Sequence, residues 1–204
     1  MHAVLSAAAV TGAWRHEGGG AFHNNGDIYH WDRTMIEGLD VRDRNVRILD
    51  QSRIGAVLTG DPSDLGDGPP VTAMFIQNTN PMVVCPELGK VHDGFRRNDL
   101  FVCVHEQFMT ETAAMADIVL PATTFLEHED LYIAGGHTHL FVTKAVIEPL
   151  GECRSNHAVL CGLAKLLGCN HPGFQWTDWE VIDRTLSDSG LPNAETLHAK
   201  RWTD

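Results

Sequence analysis

The middle of this 204-residue chain predicts an α/β fold, a mostly parallel sheet flanked by helices. Two observations carry that expectation. Apolar runs rich in β-branched and aromatic residues recur at Val71–Ile76, Asp99–His105 and Ile118–Leu120, and they read as buried parallel strands. Helix-like segments separate them. The order is then strand 71–77, helix 86–97, strand 100–105, helix 110–115, strand 117–120, the alternation of a parallel sheet with right-handed crossovers.

Each element has a local reason. Helix 86–97 has Pro86 in its first turn, Leu88, Val91 and Phe95 along one face and Asn98 at its end, while Gly89 and Gly94 weaken it. Thr110 caps the next turn, Glu111 suits its positive end, and Ala113, Ala114 and Ala116 let it pack closely on the sheet. Past Pro121 the pattern changes: Phe125 to Val142, around Gly135-Gly136, predicts an extended or hairpin excursion. Ser155 opens the clearest helix, with Val159, Leu163, Leu166 and Leu167 on one face and Gly168 ending it. A further helix is expected from Asp178 to Leu186.

Upstream, Ala3–Val10 reads as a helix ending at Gly12 and not as a signal peptide, which favours a cytoplasmic location. Ile48, Leu49, Ile54, Val57 and Leu58 suggest a short helix over 52–58. The rest of 13–70 is aperiodic and glycine-rich, with Pro62, Pro69 and Pro70, and a stretch that long fits packing against something outside the chain. The parts are therefore an irregular lead-in over 1–70, an α/β core over 71–170 and a helical tail or linker over 171–204.

Composition bounds the function. With 43% hydrophobic residues the chain can bury a real core, removing roughly 70% of its unfolded surface from water. Fifteen basic against 27 acidic residues give a net charge of -12, which argues against a nucleic-acid duplex or an anionic membrane as partner. An anionic ligand would need local backbone N–H groups and a few side chains. No apolar run approaches the length of a membrane span. Cys85, Cys103, Cys153, Cys161 and Cys169 have neither C-x-x-C nor iron–sulphur spacing and read as reduced thiols.

Asn78-Thr-Asn-Pro81 after one strand, His105-Glu106 after the next, Thr110-Glu-Thr112, Ala116-Asp-Ile-Val-Leu-Pro121 and Glu127 together resemble the molybdopterin-dependent oxidoreductases of the dimethyl sulphoxide reductase and formate dehydrogenase superfamily. The resemblance runs from Gly12 and Gly18-Gly-Gly20 to Gly151-Glu152 and the Ser155–Gly168 helix. It implies a three-layer, Rossmann-like sheet forming the second half of a discontinuous domain. It also implies a parent that performs two-electron redox chemistry on a bis-molybdopterin guanine dinucleotide cofactor holding molybdenum or tungsten. The metal ligand, and an iron–sulphur cluster where one is present, would lie in an upstream domain, and a C-terminal domain would complete the cofactor site. Those missing N- and C-terminal domains are the implied partners, with an electron-transfer subunit or carrier. Alone, the chain is expected to have no redox turnover, and its unpaired sheet edge and exposed apolar faces to favour self-association. It departs from the family at Ala134-Gly-Gly-His-Thr138, where many members carry Asn-x-Glu-Gly-Arg.

Mapped residue by residue, the resemblance makes Asn78, Asn80, His105, Glu106, His128 and Asn156 contacts to one dinucleotide. Each has a rationale and a plainer alternative. Glu106 follows a strand at the end where α/β sheets bind ligands, and a carboxylate there can accept both donors of a guanine edge, or be a solvated turn residue. Asn78 and Asn80 can meet ribose or phosphate, although Asn before proline is also ordinary turn chemistry. Asn156 lies in a first helical turn, where free N–H groups favour phosphate, or shares capping with Ser155. His128 between Glu127 and Glu129 can carry charge toward a phosphate, or be a surface histidine. With His137 and His139 it also tempts a metal reading, but no third ligand is fixed. Gly18-Gly-Gly20 lacks the Lys-Ser/Thr partner of a phosphate loop and reads as a turn needing positive φ.

Two readings of other kinds stay open. One is a cofactor-free structural or electron-transfer subunit of the same fold, like the large iron–sulphur subunit of respiratory complex I. Such a subunit would have little use for Asn78, Glu106, His128 and Asn156 together. The other is a self-contained module for a different nucleotide, weakened by the absence of a G-x-G-x-x-G turn.

Overall fold

The computed structural model describes residues 2–21, 28–135 and 137–203 and contains the expected parallel sheet. Strands β1 (Ala73–Gln77), β2 (Phe101–Glu106) and β3 (Ile118–Pro121) pair in that order, all parallel, with Gln77 opposite His105, His105 opposite Leu120 and Glu106 opposite Pro121. Strands β4 (Asp130–Ile133) and β5 (Leu140–Thr143) form a separate two-stranded sheet within the expected excursion, whose Gly136 lies outside the described residues. The α-helices among the described residues are α1 (His2–Val10), α2 (Thr34–Glu37), α3 (Ile54–Leu58), α4 (Pro62–Leu65), α5 (Pro81–Val84), α6 (Leu88–Phe95), α7 (Asn156–Leu167), α8 (Asp178–Asp188) and α9 (Ala194–Lys200). None is long and apolar enough to cross a membrane.

The chain divides into two compact units. The larger, residues 33–130 and 144–182, contains the parallel sheet. Its core joins Ile76, Val102 and Val104 of the strands to Leu58 of α3 and to Val91 and Phe95 of α6. Burying side chains of this size removes them from water at about 1.5–3 kcal/mol each. Phe75, Phe101 and Ile118 are aligned on the opposite face and remain 39%, 47% and 45% exposed, so helices cover one face of the three strands. In the smaller unit, residues 1–32, 131–143 and 183–204, Leu140 of β5 packs into a core with Leu186 and Leu197, and its backbone pairs with Thr203. Gly18 and Gly20 there take φ of 74° and 100°, the positive values expected of that glycine turn.

Helix α6 begins at Leu88 and not at Pro86, because Glu87 sits in the left-handed region (φ 54°), where it pairs with Arg53 at 2.7 Å and Lys90 at 2.9 Å. The helix expected over 110–115 shrinks to one 3-10 turn, Ala113–Met115, since a crossover this short leaves no room for more. Thr110 Oγ1 does accept the Ala113 N–H. Helix α7 has its expected ends, with Ser155 Oγ accepting the Ala158 N–H and Gly168 at φ 71°. Its apolar face is covered only in part: Val159 is buried, while Leu166 and Leu167 are 85% and 76% exposed.

Arginines hold the stretch between Arg47 and Pro69. The Arg47 guanidinium donates to the carbonyls of Leu65 at 2.9 Å and Pro69 at 2.5 Å. Arg53 forks onto both carboxylate oxygens of Asp64 at 3.0 Å, and Arg97 donates to the Leu58 carbonyl at 2.8 Å. Captured carbonyls, not hydrophobic periodicity, hold these loops on the core.

Helices α3 and α6 approach through glycine. A Cβ on Gly94 would lie 2.5 Å from the Leu58 Cβ, and one on Gly55 would lie 2.8 Å from the Val91 nitrogen, whereas Gly89 has open space around it. The two α6 glycines should therefore respond oppositely to the same change. Gly94→Ala is expected to lower stability by about 1–3 kcal/mol, and Gly89→Ala to raise it by about 0.5–1 kcal/mol. Denaturant unfolding of both variants checks this; equal effects would refute the close approach.

Candidate functional site

The three parallel strands end in one row. Gln77 pairs with His105 and Glu106 with Pro121, so Asn78, Glu106 and Pro121, which end or directly follow the three strands, emerge at the same carboxyl edge of the sheet. Asn78 takes φ of 57°, a left-handed conformation that Asn tolerates better than most side chains. Glu106 Oε1 accepts the Gln107 N–H at 2.7 Å; its second oxygen makes no hydrogen bond among the described residues. These two residues keep polar atoms available.

The neighbouring candidates are bonded within the chain. Asn80 Oδ1 accepts the Thr112 hydroxyl at 2.6 Å, and its Nδ2 donates to Glu111 at 2.9 Å. Thr112, fully buried, in turn accepts the Met82 N–H at 3.2 Å. The Asn80 amide thus fastens the loop after β1 to the turn after β2. His105 is also buried, at 1% exposure: Gln77 Nε2 lies 3.1 Å from its Nδ1, and its Nε2 lies 3.1 Å from the Arg154 carbonyl. Both ring nitrogens are spent inside the chain. His105 has no ring nitrogen left for a ligand, while Asn80 keeps the second N–H of its amide.

His128 and Asn156 come together elsewhere in the same unit. They line a cleft of about 160 Å³ with Ser155, His157, Glu129, Asp130 and Asp178. His128 Nδ1 lies 2.7 Å from the Thr123 hydroxyl and its Nε2 lies 3.6 Å from Asp130. Asn156 is the first residue of α7 and exposed, with capping left to Ser155. Three carboxylates make this cleft acidic. Burial, reinforced by Asp178, pushes the Glu129 carboxyl up.

Glu127, part of the family-like pattern, is a structural pin. Its Oε2 accepts the Thr124 N–H at 2.7 Å and its Oε1 the Leu150 N–H at 2.8 Å, and these bonds hold its carboxyl below the usual range. Residues that sequence reasoning passed over include Gln77, Thr123 and the carbonyl of Arg154. The Thr124-x-x-Glu127 spacing, that of a capping box, is the local signal that could have found the Glu127 pin. In the smaller unit the His139 ring lies between those of His137 and Trp202, in tilted contact with each. Among the described residues no group of three or more His, Cys, Asp or Glu could hold a metal ion. The five cysteines are free, and burial pushes the thiols of Cys85, Cys103 and Cys161 up.

Comparison with known proteins fits this geometry. The family model for molybdopterin oxidoreductases matches residues 3–166. The chain belongs to the molybdopterin oxidoreductase family. It is 38% identical over 194 residues to the probable oxidoreductase YoaE of Bacillus subtilis, covering 95% of this chain and 28% of that protein. Acetylene hydratase of Syntrophotalea acetylenica is 32% identical over 140 residues, covering 66% of this chain and 18% of that one. In structure, the acetylene hydratase of Pelobacter acetylenicus superposes with a TM-score of 0.57 at 26% identity over 72% of this chain and 20% of that chain. The molybdopterin oxidoreductase segment thus spans little more than a quarter of its first curated relatives' length. The α/β architecture and the family expected from the strand-end motifs are both borne out.

The two carboxylates should give opposite pH signatures. Glu127 has a folded pKa below its unfolded value of about 4.3, so its contribution is fully present above that value and lost as pH falls through the folded one. Glu127→Gln should lower the melting temperature at neutral pH and flatten the acid limb. Glu129 is raised, so its charged form is penalised at neutral pH; Glu129→Gln should raise the melting temperature there, and the gain should vanish once the wild-type carboxyl is protonated. Thermal unfolding across the acid range tests both signs.

Proposed function

We propose that the row of strand ends holds one guanine dinucleotide of a bis-pterin molybdenum or tungsten cofactor, within a longer protein that performs two-electron redox chemistry. The observation that carries this reading is Asn78 beside Glu106, one with its backbone set at φ 57° and the other with an open carboxylate oxygen, at the ends of adjacent parallel strands in a chain of this family. Such ends are where α/β sheets take their ligands.

The donor set suits the nucleotide end of such a cofactor. Glu106 can accept the N1–H and amino N–H of a guanine edge as a charge-assisted pair, and its carboxylate has lone pairs to spare beyond the Gln107 bond. Asn78 is placed for ribose or phosphate. The cleft at His128 and Asn156 is lined by Glu129, Asp130 and Asp178, so it favours a donor-bearing group, a base edge or sugar hydroxyl, over the phosphate that either residue alone would suggest. When bound, the cofactor supplies the metal at which two electrons are exchanged; these residues bind and orient its nucleotide. This reading leaves room for further partners: the remaining domains of the longer protein, with an iron–sulphur cluster upstream where one is present, and an electron-transfer subunit or carrier where the parent uses one.

Removing the Glu106 charge tests it. Glu106→Gln should weaken guanosine monophosphate binding about 10- to 100-fold, the worth of hydrogen bonds to a charged group. Binding is read by calorimetry, with adenosine monophosphate as control. Unchanged affinity, or equal binding of the adenine nucleotide, contradicts the assignment.

A further inference from the structure

The candidate residues fall into two groups, Asn78 and Glu106 on the strand ends and His128 and Asn156 at the cleft, and His105 stands between them. The Arg154 carbonyl can only accept, so Nε2 carries a proton and donates to it, and in the neutral ring Nδ1 is then the acceptor that faces the Gln77 amide nitrogen. A neutral imidazole has one donor and one acceptor to meet these partners; an imidazolium has no acceptor.

What Arg154 does next makes the contact more than a satisfied core histidine. Its carbonyl also receives the Thr123 N–H at 3.2 Å, and its own N–H donates to the Pro121 carbonyl at 3.1 Å, so this turn extends the sheet edge past β3. Thr123 passes the connection to His128 through its hydroxyl. Arg154 leads directly into Ser155 and Asn156, the start of α7. One buried ring therefore joins the end of β1, the end of β2 and the turn that carries the cleft.

We propose that His105 is a positioning residue: through the Gln77–His105–Arg154 relay it sets the separation between the strand-end pair and the cleft, so that a nucleotide spanning both meets a pre-formed gap. The relay rests only on this chain; its use by a nucleotide rests on the function proposed above. A merely structural histidine would matter for folding and nothing else. A positioning one is replaceable by any side chain that keeps the Nε2 donor.

Glutamine supplies that donor, since its amide nitrogen reaches about as far as imidazole Nε2, whereas leucine fills the space without it. The test compares the full chain with His105→Gln and His105→Leu. In His105→Leu, amide hydrogen exchange at Thr123 and Arg154 should quicken about tenfold, one hydrogen bond's worth of local stability, with the β1–β2 ladder unchanged. Guanosine monophosphate should bind more weakly, and His105→Gln should restore both. Should His105→Leu fail to fold, nitrogen-15 spectra of the wild-type imidazole decide: protonated Nε2 and bare Nδ1 support the relay. A protonated Nδ1, unchanged exchange at Thr123 and Arg154, or no rescue by glutamine overturns it. Wild-type chain that shows the exchange behaviour but no affinity for guanosine monophosphate overturns the nucleotide's use of the relay and leaves the joint itself supported.

Discussion

In-register parallel pairing of β1, β2 and β3 is the constraint on which the candidate site depends. Because Gln77, His105 and Leu120 lie opposite one another, the residues that follow them emerge as a row. A slip of one residue in any strand would exchange its faces, burying Phe75 or Phe101 and expelling Ile76 or Val102 from the core. The register is thus enforced by the apolar core beneath α3 and α6, whose close approach needs Gly55 and Gly94. Site geometry here is a consequence of hydrophobic burial some distance away.

Polar groups then convert strand ends into a rigid edge. Asn80 and Thr112 fasten one loop to the next, Glu127 gathers the N–H groups of Thr124 and Leu150, and His105 reaches the Arg154 turn. Each bond alone contributes about 1 kcal/mol net, but together they leave few loop conformations, which is what a ligand site of loops requires. The division of labour among the family-like residues follows: Asn80, His105 and Glu127 hold the frame, and Asn78 and Glu106 face outward from it.

Much of this was legible in the chain. The three strands and the boundaries of α7 follow from apolar runs, a serine before a helix and a glycine after it. Local patterns end there. The Gln77–His105 and His105–Arg154 bonds span 28 and 49 positions, and no periodicity encodes a hydrogen bond across such separations. The same limit explains why the stretch over 47–70 read as uncommitted, since Arg47 and Arg53 hold it through side-chain contacts 11 to 34 positions apart. On α7, Leu166 and Leu167 lie on the apolar face that the pattern assigns, and nothing among the described residues covers them.

The central claim is that this α/β segment holds the nucleotide end of a metal–pterin cofactor. Elemental mass spectrometry with fluorescence of the oxidised pterin, on the longer protein purified intact, addresses it most directly. Molybdenum or tungsten near one per protein, with guanine dinucleotide that is lost in Glu106→Gln, is the predicted result; a well-folded protein devoid of both metal and pterin would contradict the account and favour a cofactor-free subunit of the same fold.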